Sequence, residues 1–247
     1  PQVWASRKWR IKGIKKYVDE VLCIFPFEIE MYQKEGINVH YCGHPLIKQL
    51  PEKADREQFF AKHGLDTTRP LVSIFPGSRT IELRFLANTF IKSAKQLQKK
   101  HPEIQFCISH APNLSDDIFD KYINGTDFKV IKGENQALLS ISDSLILASG
   151  TVALEAALYQ IPMIIGYKGP WILYLAYLLV RCIKKVSLPN IITGEDIVPE
   201  LIQAKFNTEN ICYETEKNLY NKEYRIGFIK ALGMVKEKLS DKYSAEE

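Results

Sequence analysis

From Leu71 onward, short runs of successive apolar residues alternate with longer stretches whose apolar positions recur every three or four residues. The runs LVSIF (71–75), IQFCIS (104–109), FKVIKG (128–133), SLILAS (144–149) and PMIIGY (162–167) each predict a strand. Between the first two, Leu83, Leu86, Phe90, Ile91, Ala94 and Leu97 line one helical face, and Pro102 ends it. Further helices are predicted at 114–123, 136–141, 151–159 and 171–184. Strands separated by helices imply βαβ units with right-handed crossovers and a parallel sheet covered on both faces. The fold class expected is α/β, a Rossmann-like parallel sheet.

The pattern before Leu71 is different. Residues 21–27 read as a buried strand running into a loop, 27–35 as a short helix stopped by Gly36, and INVHYCGHP (37–45) as a second strand. A polar connector and helix follow at 51–64. Residues 1–45 therefore read as the end of another α/β domain, 46–205 as the Rossmann-like domain, and 206–247 as a charged helical segment. The chain opens at Pro1 on PQVWAS, and its first methionine is Met31. An upstream part is expected.

Composition narrows the classes. Hydrophobic residues make up 46% and charged residues 25%, so a substantial core is available. A formal net charge of +4 is too small to argue for nucleic acid, and no nucleic-acid motif is present. The five cysteines are scattered without a CxxC pair, which fits a reduced setting better than a disulfide framework. None of the five histidines sits in a metal-ligand pattern. No metal and no cofactor is expected. No nucleophile–base pair or paired catalytic carboxylates can be assigned, so the catalytic residue is unknown.

Two turns carry the candidate chemistry, because ligands of a parallel sheet bind beyond the carboxyl ends of its strands. In FPGSR, Gly77 permits close backbone approach, Ser78 can cap the following helix and present N–H groups to an anion, and Arg79 offers a permanent forked cation. The same residues would also make a plain capped helix with a surface arginine. In ILASGTVALE, Ser149, Gly150 and Thr151 form a turn into a helix whose N–H groups face an anion. Glu155 follows Thr151 by one helical turn, on the same face, where it can reach a second group such as ribose hydroxyls. The alternative is a structural turn with Glu155 paired to a lysine. GxGxxG is absent, which disfavours a dinucleotide oxidoreductase. Asn190, in SLPN, is a third candidate contact, although an ordinary turn would explain it as well.

The segment WILYLAYLLV (171–180) is wholly apolar but shorter than the roughly 17–25 residues of a span. It reads as a buried core helix or as an interfacial one that dips into lipid, with Trp171, Leu175 and Leu178 toward the membrane and Arg181 at the headgroups. The basic stretch at 6–17 with its tryptophans could share that surface or form a solvated helix.

In order along the chain, QVWA (2–5), FPFE (25–28), GHP (43–45), PGSR (76–79), ASGTVALE (148–155), PMIIGYK (162–168) and SLPNIITG (187–194) resemble lipid A disaccharide synthase, a family of GT-B glycosyltransferases. The resemblance extends to about residue 201. It implies transfer of 2,3-diacylglucosamine from its UDP donor to 2,3-diacylglucosamine 1-phosphate, with inversion, giving a β-1,6-linked lipid A disaccharide 1-phosphate plus UDP. It implies Arg79 on phosphate, Ser149 to Thr151 at the diphosphate, and Glu155 on ribose, with Asn190 a further donor contact. The implied partners are the UDP-diacylglucosamine donor, the acylated glucosamine 1-phosphate acceptor and a membrane surface, with no nucleic acid. The implied location is cytoplasmic, peripheral on the inner face of the cytoplasmic membrane. The family commonly has Gly-Arg where this chain has Gly194-Glu195, and its proposed acidic base would lie upstream of Pro1. The alternatives are another UDP-sugar enzyme of GT-B type, either a peptidoglycan precursor N-acetylglucosaminyltransferase or a UDP-N-acetylglucosamine epimerase, and an inactive nucleotide- or lipid-binding fragment.

Overall fold

The computed structural model describes residues 3, 8–171, 174 and 185–240. A short helical lead-in ends in α1 (Ile11–Tyr17), which is followed by β1 (Val21–Cys23), α2 (Pro26–Lys34) and β2 (Val39–Tyr41). β1 and β2 pair in parallel as a two-stranded sheet. Its small core holds Val21, Tyr32 and Ile37.

Two helices, α3 (Leu46–Gln49) and α4 (Arg56–His63), lead into the main unit. There β3 (Leu71–Phe75), α5 (Thr80–Lys100), β4 (Gln105–His110), α6 (Asp116–Ile123), β5 (Lys129–Lys132) and α7 (Asn135–Ile141) alternate. They continue into β6 (Ser144–Ala148), α8 (Val152–Leu158) and β7 (Met163–Tyr167). Next come α9 (Leu188–Thr193), β8 (Glu200–Ile202), α10 (Thr208–Tyr220) and α11 (Lys222–Ser240). The six strands lie in the order β5-β4-β3-β6-β7-β8, and every pairing is parallel. The winding reverses between β3 and β6, so a crevice opens beyond their carboxyl ends.

All five residues of β3 and all five of β6 are buried. Successive side chains of a strand point to opposite faces, so each run feeds two cores. Leu71, Phe75, Leu145 and Leu147 pack with α4, α7, α8 and α11 on one side. Val72, Ile74, Ile146 and Ala148 pack with α5, α6 and α10 on the other. The tail thus wraps both faces, with Ile211 and Cys212 of α10 in one core and Phe228, Leu232 and Val235 of α11 in the other. At the end of α11, the Leu239 carbonyl accepts a hydrogen bond from Tyr41 Oη at 2.7 Å, which ties the two-stranded sheet to the main unit.

The structure adds β8, which local pattern did not predict. It has three residues, only Leu201 of them buried, and it extends the sheet at its edge through β7. The structure also places SLPN at the start of a helix rather than in an ordinary turn. Ser187 stands at the N-cap position of α9, with Pro189 in its first turn, where a proline's missing N–H costs nothing. Leu175, Leu178 and Arg181 lie outside the described residues. Trp171 is exposed and packs edge-on against Tyr174, with ring centroids 5.8 Å apart. Among the described residues no helix is long and apolar enough to cross a membrane.

Candidate functional site

Beyond Phe75 the chain turns through Gly77, whose φ of 112° is a region L side chains rarely adopt. Arg79 then starts α5 as its N-cap. The expected cap by Ser78 is not what closes this turn. Glu82 folds back instead, and its Oε2 accepts hydrogen bonds from the backbone N–H of Ser78 at 2.8 Å and of Arg79 at 3.2 Å. Its other oxygen lies 3.5 Å from Arg79 Nη1, and the arginine side chain is otherwise exposed. An acid at the third helical position is the sequence signal for this capping box. At rest a carboxylate therefore occupies the N–H groups that an anionic ligand would use.

The second turn follows β6, which lies beside β3 in register from Val72 with Ser144 to Phe75 with Leu147. Ser149 N–H donates to the Gly166 carbonyl at 3.2 Å, which holds the turn against β7. Gly150 and Thr151 are exposed, and α8 begins at Val152. Glu155 projects one turn further on, half-buried, and its partner is the Gln136 side chain rather than a lysine.

These turns line one cavity of about 610 Å³, together with Ser109, Asn135 and Lys185. That volume lies within the roughly 300–1,000 Å³ of small-ligand sites. Gly77, Ser78, Arg79, Ser149, Gly150, Thr151 and Glu155 are thus brought together. Glu82, Lys185 and a hydrogen bond of 2.8 Å from Ser109 Oγ to Asn135 Oδ1 are added, none of which sequence reasoning singled out. Only the capping acid had a local signal.

Asn190 is not among the cavity's lining residues. It is buried, its Nδ2 donates to the Val198 carbonyl and to Glu200 Oε1, both at 2.9 Å, and its Oδ1 accepts from Val198 N–H at 2.8 Å. Its amide is thus committed on both sides within the fold. Glu200 also accepts from the N–H groups of Val186 and Ser187 and from Ser187 Oγ, at 2.7–3.1 Å. These bonds hold the segment that puts Lys185, Val186, Leu188 and Ile191 on the cavity wall.

Burial raises the Glu155 carboxyl above its ordinary value of 4.5, and the Gln136 hydrogen bond offsets part of this. A raised carboxyl pKa favours the protonated form of the fold. Its contribution to stability is full below the unfolded value and is lost as pH rises through the folded value. Glu155→Gln is therefore expected to raise the melting temperature of the ligand-free chain near pH 7 and to change it little near pH 4. Thermal unfolding at both values checks this, and an equal gain at both would place the effect in packing instead.

The chain matches the family model for lipid-A-disaccharide synthetase over residues 1–242. It belongs to that family. It is 37% identical over 242 residues to the lipid-A-disaccharide synthase of Geobacter sulfurreducens, covering 97% of this chain and 63% of that relative. A synthase from Coxiella burnetii is 36% identical over 240 residues, with the same shares. The chain thus spans 63% of the length of these curated relatives. Among solved structures, the UDP co-structure of MnaA from S. aureus superposes with a TM-score of 0.61 at 12% identity, covering 92% of this chain and 56% of that one. That likeness speaks for the fold alone, the GT-B type of α/β architecture. The lipid-A-disaccharide synthetase match, not the fold, is what separates this chain from UDP-sugar epimerases of the same architecture.

Proposed function

We propose that this chain carries the donor-nucleotide site of a lipid-A-disaccharide synthase. The enzyme would transfer 2,3-diacylglucosamine from its UDP donor to 2,3-diacylglucosamine 1-phosphate and release UDP. The observation that carries the reading is the convergence of the PGSR and SGT turns, with Glu155, on one cavity where the sheet reverses its winding. In this reading Arg79 and the turn at Ser149–Thr151 meet the diphosphate, while Glu155 accepts hydrogen bonds from ribose hydroxyls. A leaving diphosphate gains negative charge as the glycosidic bond breaks, so cations and N–H groups placed at its oxygens stabilise the transition state more than the ground state.

Residues 1–45 are proposed as the end of an acceptor-side domain and 46–205 as the donor domain, completed by the helices of 206–247. A cytoplasmic enzyme seated on the inner face of the membrane fits acylated substrates. The exposed Trp171 at the head of an apolar segment, and Trp9 beside the basic α1, support that seat.

The test is Arg79→Ala in the full chain. A charge-assisted hydrogen bond to phosphate is worth roughly 1.5–3 kcal/mol, so UDP affinity is expected to fall about tenfold or more. Uridine, which lacks the phosphates, should change little. Saturation-transfer NMR and calorimetry with both ligands read this out. No UDP binding by the folded wild-type chain would sink the site itself, and equal losses for UDP and uridine would remove Arg79 from the phosphate.

A further inference from the structure

Two cationic side chains line the cavity among the described residues, Arg79 and Lys185. Each is held at rest by a carboxylate. Arg79 lies beside Glu82. Lys185 Nζ donates to Asp196 Oδ1, and the two partners differ sharply in setting: the lysine side chain is 23% exposed, the aspartate 85%. Water screens the attraction of so exposed a carboxylate, and such surface pairs contribute little. An anion brought into the cavity would meet the same ammonium where less water intervenes and the attraction is stronger.

We propose that Lys185 is a second phosphate-binding cation of this cavity, parked on Asp196 until a nucleoside diphosphate takes it over. The inference rests on the donor-site reading above and assigns the site a residue that reading did not include. Charge balance favours it. Glu82 and Glu155 already place two carboxyl groups on the cavity wall, and Arg79 is shared with one of them. A diphosphate adds further negative charge that Arg79 alone leaves unmatched.

Local construction favours it as well. The N–H groups of Val186 and Ser187, directly after Lys185, are fixed by Glu200. The backbone is therefore anchored while the four-carbon stem stays free to carry its ammonium from one acceptor to another. Asp196 is not among the cavity's lining residues, so moving the ammonium to a ligand breaks no contact that shapes the wall.

The experiment compares Lys185→Gln, Lys185→Arg and Asp196→Asn in the full chain, with UDP and uridine as ligands in titration calorimetry. Lys185→Gln is expected to weaken UDP about tenfold and uridine less than about twofold, the scale of one lost charge-assisted bond. Lys185→Arg should restore most of the loss, since it keeps the charge. Asp196→Asn removes the resting partner and should leave UDP as tight as before or a few-fold tighter. Loss of UDP affinity in Asp196→Asn as large as in Lys185→Gln would overturn the proposal, because the pair would then be a brace. So would equal weakening of UDP and uridine by Lys185→Gln, or no weakening of either. If the wild-type chain binds neither ligand, the donor-site reading falls and takes this one with it. If it binds UDP and Lys185→Gln binds it just as tightly, only Lys185 is misassigned.

Discussion

Glu200→Ala is expected to cost the chain about 3 kcal/mol of stability, since each buried donor left without its acceptor costs roughly 1–3 kcal/mol and water can replace some of them. One carboxylate on an edge strand serves four donors: the N–H groups of Val186 and Ser187, Ser187 Oγ and Asn190 Nδ2. Alanine leaves all four without that acceptor in a part-buried setting. The damage reaches the site, because the same bonds hold Lys185, Val186 and Leu188 on the cavity wall. UDP binding should weaken in the fraction that stays folded. Glu200→Gln keeps one acceptor oxygen, so it should recover a good part of the stability. Urea unfolding of the three proteins measures this. A loss in Glu200→Ala under about 1 kcal/mol would show that solvent substitutes for the carboxylate and that the segment does not depend on it.

The second large effect is expected at Gly77→Ala. A Cβ there would sit 2.4 Å from Glu82 Oε2 and 2.7 Å from Glu82 Cβ, and the backbone φ is 112°. Backbone strain of that kind costs on the order of 1–3 kcal/mol, and loss of a helix cap adds about 1 kcal/mol. The turn cannot keep both its shape and its cap, so UDP affinity should drop by at least tenfold together with stability. The comparison variant is Glu82→Gly, which removes the cap and, by removing Cβ as well as the carboxylate, clears the space for the new methyl. In the Gly77→Ala/Glu82→Gly double variant the steric part of the loss should disappear while the φ strain remains. Additive losses in that double-variant cycle would count against the collision.

The strands of the main unit were legible in advance because a parallel strand covered on both faces needs apolar residues at consecutive positions, as LVSIF and SLILA have. The two turns were legible for a related reason. A glycine and a small hydroxyl residue between a strand and a helix are determined by their immediate neighbours. β8 was not, since three edge residues with one buried side chain carry no period to detect. For Asn190 the spacing alone favours an ordinary turn, and a ligand contact follows only from the family resemblance. In the structure its amide meets Val198 and Glu200, which come later in the chain across a turn that no local pattern closes.

The sequence by itself thus determined most of the strands and helices of the main unit, that the sheet would be parallel, and where two anion-facing turns would lie, because hydrophobic period and turn chemistry act over a few residues. Only the tertiary structure decided that β3 and β6 are neighbours, and so that turns about seventy residues apart in the chain face one cavity. It alone decided that Lys185 joins Arg79 on the cavity wall and that Glu200 takes up the Asn190 amide. Those outcomes depend on which partners a three-dimensional packing brings within a hydrogen bond's reach, a quantity no local pattern encodes.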